Sequence, residues 1–156
     1  MFALLHVFSY KKKSQHADAF VMGSPIYWSN PTGMFRNVIE RLLFPILCYN
    51  ARGKPLEPSK YIDKKMNCGL IYTMNVTPEL YEHFGLGPVL APDCNSLKMF
   101  FGCCEVLNAY GTWQFYHDYS KYDANGFDMN EKQWYHENYW PKDMEAAYEM
   151  GKRLVE

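Results

Sequence analysis

The apolar positions fall into short runs of two different periods. Ala19-Phe20-Val21-Met22 is an uninterrupted apolar run that stops at Gly23-Ser24-Pro25, the pattern of a strand buried on both faces that ends in a loop. From Gly33 the period changes: Met34, Phe35, Val38, Ile39, Leu42 and Leu43 share one helical face, while Arg36, Asn37, Glu40 and Arg41 lie off it. Thr32 is placed to cap this helix and Pro45 to help end it. Met66 to Met74 is a second apolar segment, and Thr77-Pro78-Glu79 then supplies a cap, a proline at the first helical position and an early carboxylate. After a Gly- and Pro-bearing stretch from Gly85 to Pro92, the pattern predicts a short helix over Ser96 to Phe101 and a third strand over Cys103 to Tyr110. From Pro141 onward Met144, Ala147, Tyr148, Gly151, Leu154 and Val155 share a face, with Lys152 and Arg153 near the end, which predicts a terminal helix.

Apolar strands alternating with amphipathic helices predict an α/β fold with a parallel sheet, in which ligands sit beyond the carboxyl ends of the strands. Two loops therefore become candidate binding segments, Ser24 to Gly33 and Thr73 to Thr77. A length of 156 residues fits one domain over 1–156, with an atypical start at 1–18 and an aromatic-rich extension at 113–140.

The formal charge of -1 provides no global field that would favour a polyanion. Lys11 to Lys13 follow the apolar start instead of preceding it, so the start does not read as a secretory signal. The other apolar runs, such as Leu42 to Tyr49 broken by Pro45, are too short to cross a bilayer, so a membrane is not expected as a partner. Five cysteines (Cys48, Cys68, Cys94, Cys103, Cys104) without C-x-x-C spacing read as free thiols in a reducing cytoplasm. Cys103-Cys104, adjacent on a strand, should point to opposite faces and simply pack. The five histidines are too scattered for a metal site.

The first candidate loop, Gly23-Ser24-Pro25-Ile26-Tyr27-Trp28-Ser29-Asn30-Pro31-Thr32-Gly33, combines small residues, two prolines, two aromatics and an amide, and its helix-initiating end presents free N–H groups. That chemistry suits a planar polar heterocycle, with an aromatic over one face and backbone or amide groups at the ring's edge. By composition an ordinary strand-to-helix turn stays open. Gly23 to Trp28 followed by the helix from Met34 to Leu43 resembles the flavin-binding segment of the flavodoxin-like NAD(P)H-dependent FMN reductases and iron–sulfur flavoproteins. Leu70-Ile71-Tyr72-Thr73-Met74-Asn75 is similar to the next strand and its flavin-facing loop, and the resemblance runs from about residue 18 to the end. It implies a flavodoxin-like three-layer fold and FMN held by Ser24, Pro25, Ile26, Tyr27, Trp28, Asn30, Thr73, Met74 and Asn75. It also implies NAD(P)H as co-substrate and a flavin, quinone or similar small molecule as electron acceptor. Flavin N5 carries the hydride in such proteins, so no catalytic side chain is assigned. Backbone N–H groups from Ile26 to Ser29 are candidates to stabilise charge on the reduced ring.

The start departs from this pattern. No Gly-rich phosphate loop precedes Ala19, which reads as an amino-terminally incomplete fold, with Phe2 to Phe8 and Lys11 to Lys13 as a competing substitute strand and phosphate site. No cysteine precedes Cys48, so an iron–sulfur cluster is not expected. Ten aromatic residues lie between Trp113 and Trp140, but the acidic excess there has the wrong sign for nucleic acid. An interface in a homodimer or higher homo-oligomer, or a cover over the flavin edge, is expected of them. Two rival functions stay open beside the reductase: a truncated flavodoxin-like interaction module without tight FMN binding, and an electron carrier.

Overall fold

The computed structural model describes residues 17–46, 65–115 and 118–156. The substitute strand, the lysine run and Cys48 lie outside these residues. The described elements are strand β1 (Ala19–Tyr27), a two-residue strand β2 (Asn30–Pro31), helix α1 (Gly33–Leu43), β3 (Met66–Thr73), α2 (Pro78–His83), α3 (Leu86–Phe101), β4 (Gly102–Ala109), α4 (Met129–Asn138) and α5 (Trp140–Val155). The sheet order is β2-β1-β3-β4, with β1, β3 and β4 parallel and β2 antiparallel to β1. This is the α/β class with a mostly parallel sheet that the alternating pattern predicts.

β3 is central, and alternation along it sorts its two faces. Met66, Cys68, Leu70 and Tyr72 are buried in a core shared with Phe35 and Ile39 of α1 and with Leu90, Cys94, Leu97, Phe100 and Phe101 of α3. Burial pushes the Cys68 thiol up to about 12, as suits a packing residue. Asn67, Gly69 and Ile71 face the other way, toward α5, whose Met150 and Leu154 are buried. Asn67 Nδ2 donates to the Leu154 carbonyl at 3.0 Å and ties the helix end to the sheet. The layers are therefore α1 and α3, the sheet, and α5.

Three expectations change. β1 continues past Gly23 to Tyr27, because Gly23, Ser24 and Pro25 pair in register with Ile71, Tyr72 and Thr73. The helix predicted over Ser96 to Phe101 starts much earlier, at Leu86, and so takes in most of the Gly- and Pro-bearing stretch before it. Pro88 sits in the first turn, where no N–H bond is required, and Pro92 deprives only the Pro88 carbonyl, which is exposed to water. Both amphipathic helices also bury a narrower arc than predicted. Phe35 and Ile39 point inward while Met34 is 79% exposed, and on α5 Met144, Tyr148 and Val155 are exposed. Other expectations hold: Thr32 and Thr77 cap α1 and α2 through their side-chain oxygens, and Cys103 is exposed where Cys104 is buried.

α1 and α3 are locked to β3 by one polar contact. Asp93 on α3 is 3% exposed and takes the Arg36 guanidinium of α1 and the Tyr72 hydroxyl of β3, the latter at 3.3 Å. Burial, with the neighbouring Asp93 carboxyl, pushes the Tyr72 phenol far above its ordinary range, so it stays a donor.

On the opposite face, Gly69 sets how closely α5 can approach. A Cβ there would meet Met150 Sδ at 2.9 Å, Leu154 Cδ1 at 3.0 Å and Val21 Cγ2 at 3.1 Å. Gly69→Val should therefore overpack this face and lower the unfolding free energy by about 1–3 kcal/mol, measured by urea denaturation. Unchanged stability would mean that α5 does not rest on the sheet at this point.

Candidate functional site

Three loops leave the same end of the parallel sheet. Pro25, Thr73 and Ala109 stand in register across β1, β3 and β4, so the segments that follow them emerge side by side. The two candidate loops chosen from the sequence thus share one edge, joined by a third loop, Tyr110 to Trp113, that the sequence did not single out.

The first segment is a tight hairpin. Tyr27 pairs with Asn30 and Ile26 with Pro31, leaving Trp28 and Ser29 as the turn. Both turn residues have positive φ, 50° and 64°. A two-residue hairpin whose central positions are both left-handed is the type I′ geometry, which ordinarily selects Asn-Gly. Here a tryptophan occupies it, 98% exposed, beside the exposed Tyr27. Asn30 Nδ2 donates to the Trp28 carbonyl at 3.3 Å. The base of the hairpin is firm: Ser24 is 4% exposed, and its Oγ accepts from the Thr32 N–H at 3.0 Å while donating to the Pro25 carbonyl at 2.8 Å. Of the predicted residues, Ser24 is therefore turned inward, Pro25 and Ile26 are half-buried, and Tyr27, Trp28 and Asn30 are exposed.

The second segment is zipped to the third. The Met74 N–H donates to the Ala109 carbonyl at 2.9 Å, the Thr112 N–H to the Met74 carbonyl at 2.9 Å, and the Gly111 N–H to the Val76 carbonyl at 3.0 Å. Met74 turns its side chain into the core, whereas Thr73 and Asn75 are half-buried at the rim. Asn75 Nδ2 donates to Gln114 Oε1 at 3.3 Å, but its Oδ1 is buried without a hydrogen-bond partner. Such an acceptor is uncommon in a folded protein and is suited to a ligand's N–H.

A lysine supports this loop from outside. Lys132 of α4 is 5% exposed, and its Nζ donates to the Asn75 carbonyl at 2.8 Å and lies 5.7 Å from the centre of the Phe127 ring. Burial lowers its pKa. The sequence offered little sign of this, since a lysine within an acidic, aromatic stretch reads as surface. The surrounding aromatics pack on one another, with Phe115 stacked on Tyr122 at 4.0 Å and Trp113 edge-on to Tyr119 at 5.4 Å. They form a cap over the end of the sheet.

Beneath that cap is a cavity of about 220 Å³. Thr73 and the loop from Tyr110 to Trp113 line it from the sheet, and Tyr135, His136, Trp140 and Asp143 from α4 and α5. Gly111 is obligatory here: its φ is +61°, and a Cβ would lie 2.6 Å from Tyr135 Cγ. Among the described residues no group of three or more His, Cys, Asp or Glu side chains is arranged to hold a metal ion. No helix among them is long and apolar enough to cross a membrane.

Residues 6–61 match the NADPH-dependent FMN reductase family. The match begins upstream of the resemblance read from the sequence, so part of the atypical start follows the family pattern as well. It covers the hairpin and α1 and ends before β3. No curated protein sequence matches the chain. Among solved structures, an NAD(P)H:quinone oxidoreductase from Methanothermobacter marburgensis shares the fold with a TM-score of 0.54 at 15% identity, over 74% of this chain and 56% of its own. The chain thus spans little more than half the length of that protein. The segment that carries the hairpin and α1 is thus similar to the NADPH-dependent FMN reductases, and the chain shares the fold of the solved oxidoreductase.

Proposed function

We propose that the protein, as one flavodoxin-like unit, binds FMN at the edge formed by the Tyr27-to-Asn30 hairpin and the Thr73-to-Asn75 loop, and acts as an NAD(P)H-dependent oxidoreductase toward a small acceptor such as a flavin or a quinone. The observation that carries this reading is the hairpin. Left-handed backbone at a non-glycine residue costs about 1–2 kcal/mol, and here two consecutive residues pay it to hold an indole in solvent. Strain of this kind concentrates where a surface must be held ready for a ligand.

The residues present fit a flavin. Tyr27 and Trp28 offer aromatic faces to a planar ring. The orphaned Asn75 Oδ1 can accept an N–H from the ring's polar edge. Lys132 fixes the Asn75 carbonyl and brings a buried positive charge to the same loop, where it favours negative charge on a bound group. FMN, when bound, supplies the hydride chemistry. The part of the chain is to orient the ring and exclude water from one side, and no acid or base is assigned. Free, mostly buried thiols at Cys68, Cys94 and Cys104 suit a cytoplasmic protein. Met34, Val38 and Phe44, exposed along α1 and the turn after it, suit contact with a second copy.

Titration of the chain with FMN, followed by flavin fluorescence, should show micromolar or tighter binding, and NADPH or NADH should then bleach the complex. Tyr27→Ala and Asn75→Ala should each weaken binding about tenfold, roughly 1.4 kcal/mol. Unchanged affinity in both variants would remove the two loops from the site. A second measurement addresses the strain. Combining Trp28→Asn with Ser29→Gly gives the turn its favoured residues and should raise the unfolding free energy by about 1–2 kcal/mol, while lowering FMN affinity. A more stable protein with undiminished affinity would mean that the strained indole serves something other than flavin.

A further inference from the structure

The cavity under the aromatic cap has its own chemistry, which the flavin reading does not use. It shares only Thr73 with the residues assigned to FMN. At about 220 Å³ it falls below the roughly 300–1,000 Å³ of pockets that enclose drug-sized ligands. It has room for a single ring. Its walls are held in place by ring contacts, His136 lying edge-on to Trp113 at 5.8 Å and stacked with Trp140 at 6.5 Å.

Two polar groups in this lining lack partners. The Trp113 indole N–H is buried with no hydrogen bond. The Asp143 carboxyl, half-buried at the start of α5, makes no hydrogen bond or ion pair among the described residues, and burial alone raises its pKa. A buried donor is nearly always satisfied in native proteins, so the unpaired indole N–H in this lining calls for a ligand that accepts from it, and the half-buried Asp143 carboxyl, still open to water, offers that ligand an acceptor in the same lining. A hydroxyl on an aromatic ring fits both. It accepts from the indole N–H and donates to the carboxylate, while the ring fills the apolar space.

We propose that this cavity is a binding site for single-ring phenols, with Trp113 and Asp143 as the polar contacts and His136 and Trp140 as the ring-facing walls. The site does not depend on the flavin reading, because it can be filled and measured without flavin. The probe is 4-fluorophenol, observed by fluorine NMR with the flavin-free chain, against fluorobenzene, which has the ring without the hydroxyl. The phenol should bind with submillimolar affinity and fluorobenzene at least about tenfold more weakly, since a site built around a hydroxyl rejects the analogue lacking it. Trp113→Phe keeps a ring but removes the donor, and Asp143→Asn keeps the shape but removes the charge. Each should weaken 4-fluorophenol about five- to thirtyfold while circular dichroism shows an intact fold.

Asp143→Asn has a second readout. A carboxyl whose folded pKa is raised by burial contributes stability below its ordinary range that is lost as pH rises through the raised value. The ligand-free variant should therefore melt higher than the parent at pH 7, and the difference should vanish in acid. Equal binding of the two probes, no binding of 4-fluorophenol at millimolar concentration, or unchanged affinity in both variants would overturn the proposal. Displacement of 4-fluorophenol by FMN would assign the cavity to the flavin site instead.

Discussion

The buried Asp93 carboxylate joins three elements, α1, α3 and β3, that share no other side-chain hydrogen bond or ion pair among the described residues. It receives Arg36 from α1 and Tyr72 from near the carboxyl end of β3 while itself belonging to α3. A charge this deep is tolerated only when it is paired, and removing one partner of such a contact typically costs about 3–5 kcal/mol. Arg36 is partly open to solvent, so the cost on that side is smaller. The consequence reaches the site. Arg36 lies one turn beyond Thr32, and Thr32 both caps α1 and donates its N–H to Ser24. The strained hairpin is thus closed by Ser24 at its base and followed by a helix whose rotation is fixed by Asp93.

This arrangement explains how Trp28 and Ser29 can remain left-handed. A hairpin free to choose would relax by opening its turn, but β1 is held by β3 as far as Pro25, and Pro31 is followed at once by a capped and anchored helix. With both flanks held, the two-residue turn is where the strain is carried. On the neighbouring loop the backbone is fixed by different means, the zipper of Met74 and Val76 to the Ala109-to-Thr112 strand exit and the ammonium of Lys132. Each of the two loops is held from its far side, which leaves the shared rim exposed.

Much of the fold was legible because it depends on composition along short segments. The apolar runs of β1, β3 and β4, and the caps Thr32 and Thr77, are local signals that tertiary packing did not override. What was misread shows where local signals fail. Gly23-Ser24-Pro25 reads as a stop, yet pairing with the central strand β3 carries β1 through it. Pro88 and Pro92 led the predicted helix to begin only at Ser96, yet both fall where the helix can spare an N–H. The six apolar positions of α1 span about half of the helix circumference, and only the choice of partner strand decides that Phe35 and Ile39 are buried while Met34 and Val38 are not. The site was half legible. Aromatic and amide residues beside the strand ends could be read directly, but the type I′ turn could not, because Trp-Ser is not its usual sequence. Neither could Lys132 and Asp143, which reach the rim from α4 and α5, far along the chain.

The unsatisfied groups point in one direction. Among the described residues Asn75 Oδ1, Asn108 Oδ1 and the Trp113 indole N–H are buried without partners, and all three lie at or just beyond the carboxyl ends of β3 and β4. Lys132 donates there to the Asn75 carbonyl, and Asp143 stands over the same end from α5. Among the described residues, Met66, Phe100 and Phe101 pack into the core toward the opposite end. Folding alone gives no reason for this asymmetry, because each unpaired group lowers stability. A parallel sheet does give one: its strand exits diverge at the carboxyl end and leave a crevice that side chains from different loops can enter. The polar groups that the fold leaves unpaired there are available to whatever binds in the crevice.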